Sequence, residues 1–163
     1  MTSAHSIDAP AYIVEHKSDD DGIIARALAI LSARIKAGPL MDSPRTVREY
    51  LTMQAAKHDA REVFGVLFLD AQNRFIEFQE LFKGTLTQTS VYPREVVRAA
   101  LRLNAAAVIL THNHPSGCAQ PSRADEVLTS TLKTALSVVD VRVLDHVITA
   151  GGGSYSMAEM GLI

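Results

Sequence analysis

The chain is nearly devoid of cysteine. Cys118 is the only one in 163 residues, so no intrachain disulfide can form and no Cys-x-x-Cys pair exists to build a structural zinc knuckle. Any metal must be held by histidine and carboxylate. Excess charge is scarce as well: 16 basic against 18 acidic residues leave −2 with histidine neutral. That is too little for a global field that would gather nucleic acid or anionic lipid, so only a local patch could do so. Long hydrophobic runs are missing too. The apolar stretches Gly22–Ile35, Val63–Leu69 and Ala105–Leu110 are too short or too broken by charge to cross a bilayer. The N-terminus lacks the basic-then-apolar pattern of a secretory signal, and a cytoplasmic location is the expectation.

What is present suits one soluble globular domain with its own core. Residues 1–21 are polar and end in Asp19-Asp20-Asp21, a composition expected to remain a disordered tail. From Gly22, Ile24, Leu28, Leu31 and Ile35 recur at helical spacing, with Asp21 as cap and Gly38-Pro39 as stop, so residues 22–42 read as a helix and linker. The main domain is expected over 43–163. Ser43-Pro44 opens a second helix carrying Val47, Tyr50 and Leu51 inward. Glu62 to Asp70 and Arg74 to Phe82 read as strands joined by a turn at Ala71-Gln72-Asn73, and Thr85 to Val91 as a short third strand. Pro93 begins a helix, Ala105 to Thr111 is a buried strand, and Ser122 caps a helix to about Val138. Val141 to Thr149 is another strand, and the three glycines from Gly151 turn into a last short one. The order ααβββαβαββ predicts an α/β domain with helices packed on a mixed sheet.

The chemistry concentrates at the end of the buried strand. His112-Asn113-His114-Pro115-Ser116-Gly117 is followed by Ser122 and Asp125, placing two imidazoles, a hydroxyl and a carboxylate within fourteen residues. A turn at Pro115 and Gly117 is expected to make the imidazoles converge, and Asp125 returns to them from the first turn of the next helix. Three such ligands leave a fourth tetrahedral position open for water. Taken alone, Ser122-x-x-Asp125 is also close to a helix capping box. His146, on an apolar strand, reads as a hydrogen-bonded core histidine, and Cys118 as an ordinary reduced loop thiol or, alternatively, one close enough to a metal to oxidise or ligate. Arg94, Arg98 and Arg102, spaced by four, stack along one helix face that is either simply solvated or able to bind phosphate or an acidic partner.

His112-x-His114, seven intervening residues and Ser122-x-x-Asp125 resemble the signature of the JAMM (JAB/MPN) metalloproteases. Tyr92-Pro93-Arg94-Glu95, Asn104-Ala105-Ala106-Ala107, Pro121-Ser122 and Leu144-Asp145-His146-Val147-Ile148 resemble the bacterial RadC branch of that family, over roughly residues 43–163. The resemblance implies a curved mixed sheet flanked by helices, the JAB/MPN fold related to the cytidine deaminases. It implies one zinc ion per chain on His112, His114 and Asp125, with Ser122 stabilising an oxyanion and an upstream glutamate activating water. Glu62 opens the first long strand where the family pattern has that carboxylate, and is assigned the role; Glu77 and Glu80 are weaker candidates. His146, through its place in the resemblance, could support the ligands from behind.

The implied activity is zinc-dependent hydrolysis of an amide bond in a protein or peptide. The alternative is a DNA-associated accessory protein of the RadC type with a structural or vestigial metal site. Against it stand the net charge and the lack of the upstream helix-hairpin-helix region of full-length relatives, which points to a short stand-alone form. The letters His-Asn-His do not make an HNH nuclease, whose three residues are spread over a hairpin and a helix. A nucleobase deaminase needs a Pro-Cys-x-x-Cys pair and a glutamate two residues after the histidine; here that position is His114.

Overall fold

The computed structural model describes residues 22, 23, 26, 40, 41, 43–55, 61–84, 90–151 and 153–163. The chain divides into the units Met1–Lys36 and Ala37–Ile163, and the elements described here belong to the second. The expected tail and most of the expected first helix lie outside the described residues; Gly22, Ile23 and Arg26 are helical. In the second unit the order is α1 (Pro44–Ala55), β1 (Val63–Leu69), β2 (Phe75–Lys83), α2 (Pro93–Arg102), β3 (Ala107–Asn113), α3 (Arg123–Ser137), β4 (Arg142–Ala150) and β5 (Gly153–Ser156). The five strands form one sheet ordered β2-β1-β3-β4-β5. Only β3 and β4 run parallel; the other neighbours are antiparallel. This is the expected α/β class with a mixed sheet flanked by helices.

The central strands β1 and β3 are buried at every residue, which is why their sequences are continuous apolar runs rather than alternating ones. The pleat divides them between two cores. Phe64, Val66, Phe68, Val108 and Leu110 meet Val96, Ala99 and Ala100 of α2 and Leu132 and Leu136 of α3. Leu67, Leu69, Ala107 and Ile109 meet Val47 and Leu51 of α1 on the other side. The β1–β2 turn is held by Asp70, whose Oδ1 accepts from the backbone N–H of Gln72 and of Arg74, each at 2.8 Å. Asn73 supplies the left-handed residue, φ 57°, which the short side chain of asparagine tolerates. At Gly65 the constraint is space: a Cβ there would lie 2.6 Å from the Phe78 ring.

Two expectations need correction. Of the short strand expected at Thr85–Val91, residues 85–89 lie outside the described set, and Ser90 and Val91 are not in a strand. Val91 packs its side chain on the core instead, and Tyr92 is extended, as the residue before a helix-opening proline must be. The buried strand expected at Ala105–Thr111 is shifted to Ala107–Asn113. Asn104, φ 51°, ends α2, and Ala105 N–H turns back to the Ala100 carbonyl at 3.0 Å. Pairing therefore starts two residues later and carries His112 into the strand.

Parallel pairing of β3 with β4 forces a crossover, and α3 is that crossover. Its N-terminus meets the C-terminal end of β3, the edge where α/β sheets characteristically build sites.

Candidate metal centre

His112 pairs with Phe64 of β1 and Ile148 of β4 and is only 2% exposed. His114 lies one residue past the strand, yet its N–H still donates to the Thr149 carbonyl at 2.8 Å, so strand geometry continues through it. Residues i and i+2 share one face of a strand. The imidazoles therefore converge because the backbone stays extended, and the turn expected to unite them has another task. Gly117, φ 86°, closes that turn, and it brings the Cys118 carbonyl to 2.8 Å from His114 Nδ1. A carbonyl only accepts, so Nδ1 carries the hydrogen and His114 presents a lone pair at Nε2. Cys118 contributes its backbone here, while its thiol is free and the residue exposed.

Asp125 comes from the capping box, which is fully formed. Its carboxylate accepts from the Ser122 N–H at 2.7 Å, and its own N–H donates to Ser122 Oγ at 3.3 Å. Ser122 Oγ–H also donates to Asp125 Oδ2 at 2.7 Å. The cap that starts α3 is thus the device that aims the carboxylate. Partial burial alone would raise the Asp125 carboxyl, but its contacts with His112 and Ser122 outweigh that and hold the group well below the ordinary carboxylate range. The helix N-terminus favours the same anion.

Donor atoms of His112, His114 and Asp125 lie within 4.8 Å of one another. His112 Nε2 is 2.9 Å from His114 Nε2 and 3.2 Å from Asp125 Oδ1, and His114 Nε2 is 3.6 Å from Asp125 Oδ2. Tetrahedral bonds of about 2.0–2.1 Å give ligand separations of roughly 3.3 Å, and the three distances bracket that value. Two imidazole nitrogens and one carboxylate are donors that first-row divalent transition metals accept. The residues present fit a metal ion.

The segment bearing Glu62 is tied to the same strand end by Asn113, which sits between the two histidines. Asn113 Oδ1 accepts from Val63 N–H at 2.7 Å, and its Nδ2 donates to the Arg61 carbonyl at 2.8 Å. Continuing the Phe64–His112 pairing by two residues sets half-buried Glu62 opposite His114. Glu80 instead pairs with Gly65 on the α1 side of the sheet and lies 3.3 Å from Lys83. Glu77 pairs with Phe68, far along β1 from His112. Behind the site, fully buried His146 has Nε2 at 2.8 Å from His112 Nδ1 and Nδ1 at 2.6 Å from Thr129 Oγ1. Burial first, and then the adjoining His112, pushes the His146 pKa well below that of free histidine, so its ring is neutral.

The arginine row of α2 is elsewhere. Arg98 pairs with Glu95 at 2.6 Å, and Arg94 approaches the same carboxylate at 3.4 Å. Arg102, on the same helix, joins Arg98 in lining an open cleft against β2. The sequence reading overlooked three contributors: Asn113, Thr129 and the Cys118 carbonyl. Of these, only Asn113 carried a signal, as a polar residue inside a strand buried at every position.

The fold and this edge together define an α/β domain with a candidate single-metal centre, two ligands from a strand end and one from a helix N-terminus. The family model described as a RadC-like JAB domain matches residues 41–162, and the chain belongs to that family. A UPF0758 protein of Variovorax paradoxus is 59% identical over 141 residues, covering 86% of this chain and 62% of the relative. One from Methylibium petroleiphilum is 60% identical over 133 residues, covering 82% and 60%, and one from Leptothrix cholodnii 54% identical over 147 residues, covering 90% and 66%. The chain thus spans about three-fifths of the length of the curated relatives it matches. No helix among the described residues is long and apolar enough to cross a membrane.

Proposed function

We propose that this domain is a zinc-dependent peptidase or isopeptidase that cleaves an amide bond in a protein or peptide. The observation that carries this reading is the convergence of His112 Nε2, His114 Nε2 and the Asp125 carboxylate at the end of β3. Zinc held by such a set supplies Lewis acidity, polarising a carbonyl and bringing the deprotonation of water down to about pH 7. The chain's own residues divide the remaining work. Glu62, opposite His114 in the strand register, takes a proton from the attacking water and returns it to the leaving amine. Ser122 Oγ–H, which rests on Asp125 Oδ2, turns toward the oxygen on which charge develops. Asn113 keeps the Glu62 segment against the strand carrying the ligands.

Metal analysis of the purified protein and of His114→Ala tests the site: about one zinc per chain is expected in the first and a large loss in the second. Full zinc content in His114→Ala would refute the ligand assignment. For the chemistry, the zinc-loaded protein is incubated with a diverse peptide library beside a Glu62→Gln control. Glu62→Gln should keep its zinc and lose about a hundredfold to ten-thousandfold in rate. Equal cleavage by the two proteins would remove Glu62 from the mechanism.

A further inference from the structure

We propose that Thr129 and His146 form a buried positioning relay that fixes His112 as its Nδ1–H tautomer and so turns the Nε2 lone pair of His112 toward His114 and Asp125. The inference rests on the metal-site reading above and deepens it.

One chain of contacts fixes where each proton lies. Thr129 Oγ1 lies 2.6 Å from the Asp125 backbone carbonyl and 2.6 Å from His146 Nδ1. Contacts that short between lone-pair atoms are repulsive unless a proton lies in each. The carbonyl has none, and the hydroxyl has one. Thr129 therefore donates to Asp125, one turn back along α3, and His146 Nδ1–H donates to Thr129. The Met157 sulfur lies farther from the same hydroxyl, at 3.6 Å, and the shorter carbonyl contact takes the proton. With its hydrogen on Nδ1, the neutral His146 ring has a lone pair at Nε2, which accepts from His112 Nδ1–H at 2.8 Å. His112 is left with its lone pair at Nε2, 2.9 Å from the lone pair that the Cys118 carbonyl has already fixed on His114. Two lone pairs and a carboxylate then face one point, an arrangement that calls for a cation.

The relay also closes on itself. It begins at the backbone of Asp125 and ends at the histidine that meets the Asp125 side chain, so one path sets the orientation of two ligands. Phe64 walls it in: its ring is stacked on His112 with centroids 6.3 Å apart, and His146 meets it edge-on at 5.7 Å. His146 and Thr129 touch no open space and are 0% and 2% exposed, so they act through His112.

The test is the proton position in the metal-free protein, read from ¹⁵N-labelled histidine by long-range ¹H–¹⁵N correlation at about pH 8, above the ordinary histidine range. Hydrogen on Nδ1 is expected for His112, His114 and His146. A His112 proton on Nε2 in the wild type overturns the relay and needs no variant to do so. Thr129→Val, which removes only the hydroxyl, should mix the His112 tautomers and weaken Zn²⁺ binding about tenfold to a hundredfold in a competitive chelator titration. Thr129→Ser should restore both. Unchanged tautomers and affinity in Thr129→Val would also overturn it. If His112 shows Nδ1–H but the wild type takes up no Zn²⁺, the relay stands and the metal reading fails.

Discussion

Helices α2 and α3 pack side by side on the same face of the sheet, yet their N-termini have different fates. Each buries an aliphatic stripe, Val96, Ala99 and Ala100 in one and Leu132 and Leu136 in the other. The start of α2 is made by Pro93 after an extended Tyr92, with no side-chain cap, and its carboxylate, Glu95, faces the arginines of its own helix. The start of α3 is a capping box whose carboxylate, Asp125, faces two histidines of a neighbouring strand. An acidic residue in a first turn is ordinary helix chemistry in both. What lies opposite decides whether it remains a surface charge or becomes a metal-ligand candidate. For α3 that neighbour is dictated by the parallel β3–β4 crossover.

The sharpest way to break the comparison is to remove each carboxylate. Asp125→Ala should take the zinc content from about one per chain to nearly none, while Glu95→Ala should leave it unchanged. Metal analysis of both variants checks this, and equal zinc loss in the two would erase the distinction. Next in size are the buried stripes, where the helices should behave alike. Leu132→Ala should cost about 2–5 kcal/mol in a urea titration, and Val96→Ala less, in keeping with the smaller volume removed.

A pH effect should separate the helices again, because only α3 covers a buried histidine. The unfolded chain protonates His146 near the ordinary value of 6.5, whereas the folded chain does so only well below it. The unfolded state therefore binds more protons just below pH 6.5. Stability is full above that pH and falls beneath it, by at most about 1.4 kcal/mol per pH unit from this group. Asp125 acts lower: its folded pKa is depressed, so its contribution is present above the unfolded value of about 3.8 and is lost only as pH falls through the folded one. Urea midpoints of the metal-free protein between pH 7.5 and 5 should decline and should do so less steeply in His146→Phe; a flat wild-type profile would show that His146 is not held neutral.

Smaller still, Ser122→Ala should cost about 1 kcal/mol through the lost cap, on top of any effect on turnover. Least of all, replacing Arg94, Arg98 and Arg102 by alanine should move stability by no more than about 0.5 kcal/mol per site. Duplex DNA binding should show only a shallow salt slope, that of three phosphate contacts at about −0.9 each. Tight, steeply salt-dependent binding would return α2 to contention as a nucleic-acid surface.

Much of this was legible residue by residue. Apolar periodicity located α1, α2, α3 and the long strands, and the spacing of His112, His114, Ser122 and Asp125 brought the candidate metal-binding group forward with its helix cap. Of the strand expected at Thr85–Val91, only the end is described: Ser90 and Val91 are not in a strand, because Val91 enters the core. The histidines converge through an extended backbone and not through the turn at Pro115 and Gly117, because β3 runs through Asn113. The pairing of Arg98 with Glu95 was within reach of helical spacing alone, since Glu95 stands three residues before it.

The sequence by itself determined the donor types, their order along the chain and the local devices that start and stop each element, because caps, turns and periodicity act over a few residues. The tertiary structure decided what each group faces. Asn113 reaches Arg61 and Val63, His112 meets His146, and Thr129 meets both His146 and the backbone of Asp125. Most of these partners are tens of residues apart, joined by strand register and by a crossover helix. No local preference encodes that register: it is set by which faces of β1, β3 and β4 can be buried together, and a slip of one residue would turn His112 and His146 to the opposite side of the sheet.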